Sequence, residues 1–472
     1  LINCDRAKII ISSRIKIICV TTDLGGEGNF PQFLCSLPIT ADKIGAHVLE
    51  LPILQKFDSS KLIDHSALSR GAVAVVERLC DHEHSAYIVG GAVRDLLLGQ
   101  RPKDFDVATD ATPEQVVALF KGARIIGRRF QIVHVRMGRE IIEVTTFRGH
   151  HAADSSTLSK TSQNGLLLRD NVYGTLDQDA ARRDLTINAM YLDPTNKIIL
   201  DDLGGLEDVK RRIVRIIGEP ATRYREDPVR MLRVVRFAAK LGFSIDSDSL
   251  RAISACQHLL NDIPAARLFD ETLKLFMAGY AAPTFEHLVS HNLLSPLFPD
   301  ALNSLTDESA QPLIVKAMSN TDARIARGKP VTPAFLLGAL LWPAVHCRSD
   351  EIARSANHEG APVQAAGQQI LMNTVQHVAI PKRFSIPMKE IWDLQPRLEK
   401  CASKRVTSII SLRRFRAAFD LLLLRAEQEP TLEQAVTFWE EQQQLFPDLV
   451  GSQPATEIPT RKRRTRRRKN TP

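Results

Sequence analysis

The sequence predicts an α+β protein in which a small mixed-sheet head is followed by an all-helical remainder. Residues 87–107 indicate the head, because an apolar strand, a glycine turn, a helical turn, a loop and a second strand follow one another there. Two further β runs, at residues 130–137 and 140–147, are joined by two turn residues, which predicts a hairpin. Beyond residue 225 apolar positions repeat at helical spacing, and prolines separate helices of ordinary length near 264, 283, 296, 330 and 381.

The other elements of the head follow from local signals. Residues 66–80 have apolar positions at helical spacing and should pack a helix against the head. Thr112, Pro113 and Gln115 form an N-cap, a first helical proline and a capping box, so a helix begins there. We expect the hairpin to give the second strand antiparallel neighbours. Residues 150–171 are polar, serine-rich and without periodicity, which predicts a mobile loop.

The glycine turn of the head has the features of a phosphate-binding loop. Gly90 and Gly91 lack Cβ atoms, so backbone N–H groups there can approach a polyphosphate. Arg94, in the helical turn directly after them, adds a charged fork. A pair of glycines is by itself usually only a turn. A phosphate site therefore needs support from other residues nearby in the chain.

Two carboxylates supply that support at a spacing of two residues. We expect Asp104 and Asp106 to lie on one strand and to point to the same face, where they can hold a hard cation such as Mg²⁺. An Asp-x-Asp sequence alone is usually a solvated loop. Like charges on one strand face repel each other unless a cation lies between them, and a purely structural strand has no need of such a pair. Together with the glycine turn, the pair favours a site for metal and triphosphate.

Three motifs now occur in one order: GGAVRD with KDFDV, RRDLTINAM at residues 182–190, and EDPVRMLRVVRF at residues 226–237. Together they resemble the class II branch of the nucleotidyltransferase superfamily, which holds the tRNA CCA-adding enzymes and the bacterial poly(A) polymerases. The resemblance covers about residues 65–300. It implies a catalytic head at residues 61–195, and then an all-helical neck, body and tail. The neck, with a nucleotide- and base-binding helix, is expected at 196–300, and an RNA-binding body at 301–450.

The second motif supplies three candidate residues by this resemblance. Arg183 is expected to contact the nucleotide, and Asp184 to belong to the catalytic centre. Asp184 either binds metal or orients Arg183 or the ribose, and the sequence leaves these alternatives open. An Arg-Arg-Asp start before an apolar run fits a helix N-terminus aimed at the cleft. Asn188 lies four residues beyond Asp184 and could share that helix face.

The third motif spaces four polar side chains three residues apart on a predicted helix. Its apolar residues Met231, Leu232, Val235 and Phe237 are expected to be buried. By resemblance, the first two polar side chains read the base and the last two hold the nucleotide; the four are Asp227, Arg230, Arg233 and Arg236. An amphipathic helix with internal salt bridges and no ligand would show a similar pattern.

A third carboxylate is a further candidate metal ligand. Glu143 lies between apolar residues in the second strand of the hairpin. In the wider superfamily a carboxylate on such a neighbouring strand completes the metal site. A solvent-facing strand residue explains Glu143 nearly as well.

The net charge of +8 is concentrated at the C-terminus. The segment 461–469 carries as many positive charges as the whole chain has in excess, and it contains no acid. Such a block stays disordered unless a polyanion neutralises it, and nucleic acid is the usual polyanion. We therefore predict a disordered basic tail at 451–472 that binds RNA through Arg461, Lys462, Arg463, Arg464, Arg466, Arg467, Arg468 and Lys469. A tail that merely aids solubility is the alternative.

The resemblance also narrows the activity. The run IIGRRFQIVHV at residues 125–135 resembles the bacterial poly(A) polymerases rather than the CCA-adding enzymes. This implies addition of AMP from ATP to RNA 3′ ends with two Mg²⁺ ions, or Mn²⁺, and such tails would mark transcripts for decay; no protein partner in decay is indicated. CCA addition to tRNA is the second hypothesis. An inactive RNA-binding scaffold is the third, against which the retained carboxylate pair argues.

Other parts of the sequence bear on compartment and order. The seven cysteines are scattered without a Cys-x-x-Cys pair, which favours a reducing compartment and a cytoplasmic location, and no membrane partner is expected. Residues 1–60 are expected to form a poorly ordered extension without catalytic residues. We expect Trp342, Trp392 and Trp439 to anchor the helical core rather than to stack on bases.

Overall fold

A computed structural model describes residues 55–127, 131–149, 172–355, 360–401 and 405–452, together with the backbone of a few short strands elsewhere. The chain divides into two compact units, residues 1–52 and residues 53–472. In the first unit the strands Ile2–Cys4, Ala7–Ile10 and Ile18–Val20 pair in an antiparallel sheet. Most of the predicted extension and the whole basic segment 461–469 lie outside the described residues.

The head of the second unit is built on an eight-stranded mixed sheet. Its order is β1-β8-β7-β2-β3-β6-β5-β4, and each pair is antiparallel except β3 with β6. The strands are β1 (Lys56–Asp58), β2 (Ala86–Val89), β3 (Asp106–Thr109), β4 (Arg124–Ile126), β5 (Ile132–Met137), β6 (Glu140–Thr146), β7 (Tyr191–Asp193) and β8 (Ile198–Leu200).

The sheet corrects two expectations. The β5–β6 hairpin forms as predicted, but β6 lies parallel to β3, so only β2 is an antiparallel neighbour of β3. The sheet also reaches beyond both limits of the predicted head, since β1 and β8 lie outside residues 61–195. The boundary expected after residue 195 falls in the turn between β7 and β8. The apolar run Ile198–Leu200 pairs with β7, so both strands belong to the same sheet.

Three helices belong to the head: α1 (Arg70–Cys80), α2 (Gly91–Leu97) and α3 (Pro113–Leu119). The helix α1 packs on β2, β3 and β6, as the apolar spacing predicts. The capping box at the start of α3 is confirmed, because the Thr112 side chain accepts from the Gln115 N–H and the Gln115 side chain accepts from the Thr112 N–H. Segment 150–171 lies mostly outside the described residues; the strands Ser159–Thr161 and Leu167–Asp170 within it pair antiparallel.

The remainder is mainly helical, which confirms the α+β class. Two short strands, β9 (Ile213–Val214) and β10 (Ser244–Ile245), pair in parallel within it. The helices are α4 (Leu176–Arg182), α5 (Gly205–Arg211), α6 (Pro220–Glu226), α7 (Val229–Leu241), α8 (Ser247–Cys256), α9 (Ala265–Phe276), α10 (Ala281–Ser290), α11 (Pro299–Ser304), α12 (Ala310–Ala326), α13 (Pro333–Arg354), α14 (Pro362–His377), α15 (Lys382–Glu399), α16 (Val406–Ile410), α17 (Phe415–Ala426) and α18 (Glu433–Leu445).

The tryptophans anchor the helical core as expected. Trp342, Trp392 and Trp439 are all buried. The indole N–H of Trp392 donates to the Gly338 carbonyl at 2.9 Å, and that of Trp439 donates to the Leu398 carbonyl at 2.8 Å. Each of these two polar atoms is therefore satisfied inside the apolar core, which is the condition for burying an indole. Within the described residues no helix is both long and apolar enough to span a bilayer.

Candidate active site

Two carboxylates meet where β3 and β6 run side by side. Asp106 is the first residue of β3, and its register partner on β6 is Glu143. Register partners on neighbouring strands project from the same face of a sheet, so both carboxylates lie above one cleft. Glu143 is half-exposed, and its Oε1 lies 3.4 Å from His134 Nε2. This position supports Glu143 as a candidate metal ligand.

Asp104 does not lie on the strand. It belongs to the loop before β3, so the argument from alternating strand faces does not apply to it. The expectation was wrong because the chain extends regularly only from Asp106, where pairing with β2 and β6 begins. The charge of Asp104 still acts on Asp106.

The negative charge of the Asp106 carboxylate is only partly offset by nearby positive charge. Partial removal from water raises the pKa of Asp106 to about 6, and the negative charge of Glu143 is the next cause. The Arg183 guanidinium opposes this rise, while Asp104 adds to it. A cation beside these oxygens would favour the ionised form.

Gly90 borders the same cleft. Its φ of 77° lies in the left-handed region, which favours glycine. A Cβ at this position would lie 3.8 Å from Arg183 Nη1 and 4.0 Å from Asp106 Oδ2, so it would project into the space between these two groups. Gly91 begins α2. The missing side chain keeps open the place where the motif predicts a phosphate.

Arg183 is held by two residues that sequence reasoning did not single out. Asp179 Oδ2 accepts from Arg183 Nε at 3.1 Å and from Nη2 at 3.0 Å. It also accepts from the Tyr191 hydroxyl at 2.6 Å, and that hydroxyl accepts from Arg183 Nε at 3.0 Å. Arg183 Nη1 is the nitrogen that faces Gly90. The spacing of four residues between Asp179 and Arg183 was the available signal, since it fits a helical ion pair.

The Arg-Arg-Asp motif does not begin a helix. The helix α4 ends at Arg182, Arg183 caps its C-terminus, and Asp184 is followed by a 3-10 turn at Thr186–Asn188. The predicted helix N-terminus was therefore wrong. The apolar run after Asp184 is buried beneath the site as a turn, and Leu185 bridges to Ile216 instead of continuing a helix.

Asp184 is bound by protein groups. Its Oδ2 accepts from Arg233 Nε at 2.5 Å, and its Oδ1 accepts from the Leu185 N–H at 2.9 Å. Burial alone would raise the pKa of Asp184, but the Arg233 guanidinium, these hydrogen bonds and one with Asn188 lower it below its usual value. Of the roles left open, orientation of Arg183 does not fit, because Arg183 has other partners. Asp184 is paired with Arg233.

Arg94 is buried and paired inside the protein. Only 2% of its side chain is exposed. Its Nε and Nη2 donate to Asp95 Oδ1 at 2.9 and 2.6 Å, and its Nη1 donates to Asn188 Oδ1 at 2.6 Å. The helical turn directs this side chain inward, and its contact with a phosphate stays a prediction. Asn188 thus links α2 to the turn that carries Asp184.

The ring of Phe237 on α7 lies among three arginines, one from the first motif and two from the third. The guanidinium carbons of Arg94, Arg233 and Arg236 lie 5.1, 5.9 and 4.8 Å from the Phe237 ring centroid. Phe237 is only partly buried, which corrects the expectation that it is buried. Arg236 Nε is buried and has no hydrogen-bond partner among the described residues. A donor in this state fits an incoming anion.

The predicted helix at 226–237 is split. Glu226 ends α6, Asp227 and Pro228 form the connection, and α7 begins at Val229. Proline interrupted the predicted continuity, so Asp227 does not lie on the ridge of α7. Asp227 Oδ2 accepts from Arg267 Nη2 at 2.7 Å.

The other predicted base reader, Arg230, also has protein partners. Its Nη1 donates to Glu226 Oε2 at 2.7 Å and to the Arg223 carbonyl at 2.9 Å. Arg223 in turn donates through Nη2 to the carbonyls of Arg182 and Arg183 at 2.8 and 2.6 Å. This network fixes α6 and α7 against the segment that carries Arg183.

Two oxygen donors of the site suit a hard divalent cation, but they do not form a complete set of ligands. Within the described residues no group of three or more His, Cys, Asp or Glu side chains is arranged as a complete metal site. The oxygen donors Asp106 and Glu143 lie in register, and the unbalanced charge on Asp106 is what a cation would neutralise. The sequence run 128–130, at the start of the hairpin, lies outside the described residues.

Comparison with known proteins adds independent findings. A family model described as the poly A polymerase head domain matches residues 86–215. A model described as "Probable RNA and SrmB- binding site of polymerase A" matches residues 242–305, and one described as the polymerase A arginine-rich C-terminus matches residues 355–471. The chain is thus similar to this family in head, neck and C-terminal part.

Individual relatives agree with these matches. The chain is 45% identical over 423 residues to Poly(A) polymerase I of Escherichia coli, covering 87% of this chain and 90% of the relative. It is 36% identical over 226 residues to the CCA-adding enzyme of Bacillus pumilus, covering 48% and 54%. The structure of the Bacillus stearothermophilus CCA-adding enzyme in complex with CTP matches with a TM-score of 0.56 and 26% identity, covering 80% of this chain and 82% of that one.

The unbalanced charge on Asp106 predicts a pH-dependent stability in the presence of a chelator. The folded-state pKa lies above the ordinary value of 3.8, so the contribution of this group to the free energy of unfolding is present at low pH and lost as pH rises through about 6. Asp106→Asn should therefore melt at a higher temperature than the wild type at neutral pH, and by a margin that shrinks on acidification. Thermal melts across this pH range measure the effect.

A divalent cation should then stabilise the wild type and not Asp106→Asn. Asp81→Asn, which changes an exposed carboxylate at the end of α1, is the control and should melt like the wild type. A chelator-treated Asp106→Asn that is less stable than the wild type at neutral pH would contradict the electrostatic account.

The contacts of Arg183 predict that its two partners act by orientation. Asp179→Asn and Tyr191→Phe should each lower kcat/KM for the nucleotide about tenfold or more, because the first removes the negative charge that pairs with Arg183 and the second removes the hydroxyl that bonds both residues. The split between KM and kcat, measured by steady-state kinetics, reports whether the ground state or the transition state loses the contact. Tyr87→Phe removes a hydroxyl from the same aromatic cluster and should have little effect. Wild-type kinetics for Tyr191→Phe would refute the orienting role.

Proposed function

This chain belongs to the poly(A) polymerase family, and on that premise we propose that it extends RNA 3′ ends with AMP from ATP without a template. It is then a polynucleotide adenylyltransferase that releases pyrophosphate. Identity of 45% over most of the chain to Poly(A) polymerase I is the finding that carries the activity. The cleft formed by Asp106, Glu143, Gly90 and Arg183 supports the same chemistry.

The reaction is a displacement at phosphorus. The RNA 3′-hydroxyl oxygen attacks the α-phosphorus of ATP, a new P–O bond forms, and the bond to the pyrophosphate oxygen breaks. Arg183, oriented by Asp179 and Tyr191, lies beside Asp106 and offers a guanidinium to the negative charge of the triphosphate. Gly90 leaves room for the phosphates at the same place. The residues position and stabilise charge, and none of them forms a covalent bond.

We propose that Asp106, Asp104 and Glu143 hold the two divalent cations of this site. When bound, the cations would neutralise charge on the phosphates and lower the pKa of the 3′-hydroxyl. An all-oxygen donor set favours Mg²⁺, and Mn²⁺ is compatible with it. We further propose that Asp184 and Arg94 act indirectly, by holding Arg233 and Asn188 in place.

We propose that the nucleotide lies along α7. Arg233 and Arg236 flank Phe237, and the unpartnered Nε of Arg236 supports a contact with phosphate. Asp227 and Arg230 are proposed to read the base, and to do so they would exchange their present partners Arg267 and Glu226 for the base edge. The base edge would supply each side chain with a hydrogen-bond partner in place of the one that it leaves.

CCA addition to tRNA is the less favoured alternative. The CCA-adding relative from Bacillus pumilus covers 48% of this chain, whereas the Escherichia coli poly(A) polymerase covers 87% at higher identity. An inactive scaffold is disfavoured because the carboxylates remain side by side at an electrostatic cost. We propose a cytoplasmic enzyme whose products are marked for RNA decay. Among the described cysteines Cys80, Cys256, Cys347 and Cys401 are free thiols, as a reducing compartment requires.

Incubation with an unstructured RNA and each nucleoside triphosphate in turn tests the activity. With Mg²⁺ we expect long product ladders with ATP, and short or no products with CTP, GTP and UTP. Asp106→Asn should lower incorporation at least about 100-fold, because the charge that balances the cation is lost. RNA binding by this variant, measured by fluorescence anisotropy, should stay near the wild-type value. Products limited to C, C and A on tRNA ends would establish the alternative.

Deletion of residues 461–472 tests the proposed tail. Removing eight positive charges should weaken RNA binding and make its dependence on salt shallower, by up to about 5 in the slope of log K against log salt. Incorporation at saturating RNA should continue. A variant in which the tail arginines are replaced by lysine keeps the charge and should keep the wild-type slope. An unchanged slope in the deletion variant would assign the tail no role in RNA binding.

A further inference from the structure

A second cavity shares no residue with the site described above. It lies between the 3-10 turn at Gln257–Asp262, the segment that joins α10 to α11, and the end of α14, and its volume is about 460 Å³. This volume is within the range of sites for small organic groups. Its polar lining includes Gln257, His258, Asn261, Asn292 and His377. Prolines and a leucine supply the apolar part.

The chemistry of the lining favours a neutral ring over a phosphate. None of the residues that line the cavity is a lysine, arginine, aspartate or glutamate. A phosphate group there would have no guanidinium or ammonium group to pair with. Side-chain amides instead match the donor and acceptor edges of a nucleobase, and in particular N6 and N7 of adenine. Imidazole and proline faces can stack on the ring.

One of these amides lacks a partner in the protein. Gln257 Oε1 is buried and accepts no hydrogen bond from any described residue. An unsatisfied buried acceptor costs about 1–3 kcal/mol. Gln257 lines the cavity, where an exocyclic amino group such as adenine N6 could donate to this oxygen. The residue thus has an energetic reason to bind a donor from outside the protein.

We propose that this cavity binds one unpaired adenine base of the RNA, with the phosphates of the strand outside. The inference rests on the proposed function, because a poly(A) polymerase makes a strand that presents adenine at every position. Most of the lining lies within residues 242–305, the segment matched by the polymerase A RNA-binding family model. A base-reading cavity there makes the growing tail a better substrate than the RNA on which it began.

The test is equilibrium binding by the full chain of labelled oligoadenylate, oligocytidylate and oligouridylate of equal length, without ATP. The wild type should bind oligoadenylate most tightly. Gln257→Met and Asn261→Leu should each reduce the ratio of oligoadenylate to oligocytidylate affinity roughly fivefold or more. Asn303→Leu, which removes an exposed amide on α11 outside the cavity, should keep the wild-type ratio.

Thermal melts serve as the folding control. Gln257→Met replaces an acceptor that has no protein partner among the described residues, so its melting temperature should equal or exceed that of the wild type. An unchanged affinity ratio in both variants, an equal loss of affinity for all three strands, or no preference in the wild type would each overturn the proposal. The binding assay contains no ATP, so its result does not depend on whether the protein incorporates AMP. Failure of AMP incorporation would contradict the polymerase activity alone. Loss of the adenine preference in both variants would support the cavity whether or not AMP is incorporated.

Discussion

The site depends on one pairing, the parallel contact of β3 with β6. It places Asp106 and Glu143 in register on one sheet face, where partial removal from water and then the negative charge of Glu143 raise the pKa of Asp106 to about 6. The protein keeps this unfavourable arrangement because strand pairing and the buried residues around it hold the backbone in place. The divalent cation that we propose for this site would offset the negative charge that the fold brings together.

A second layer of acids controls the arginines around that cleft. Asp179 holds Arg183, Asp184 holds Arg233, and Glu226 holds Arg230. Each guanidinium loses rotamer freedom in advance, so less entropy is lost when an anionic ligand binds. Among the arginines of α7, Arg236 differs, because its buried Nε has no hydrogen-bond partner among the described residues.

Structural features that depend on a few neighbouring residues were predicted correctly. The capping box at Thr112, the β5–β6 hairpin and the buried tryptophans follow from local hydrogen bonding and hydrophobicity, and each is present. Errors occurred where distant parts of the chain decide. Asp104 lies outside the strand that pairing with β2 and β6 defines, and Arg-Arg-Asp ends a helix instead of beginning one. The contact of Arg94 with Asn188, ninety-four residues away, was not predicted. Pro228 is a local signal against one continuous helix at 226–237, because proline disfavours a helix interior.

By itself the sequence determined the class of the fold and the family, because glycines, carboxylates and arginines in a fixed order reflect chemistry that few other arrangements can perform. It also indicated the turn at Gly90, whose positive φ is a local requirement. Only the tertiary structure decided which charges face the cleft and which brace it, because an ion pair such as Arg183 with Asp179 and Tyr191 depends on where helix and strand meet in space. The cavity at Gln257 was likewise visible only in the tertiary structure, since the elements that line it come together only when the helices pack.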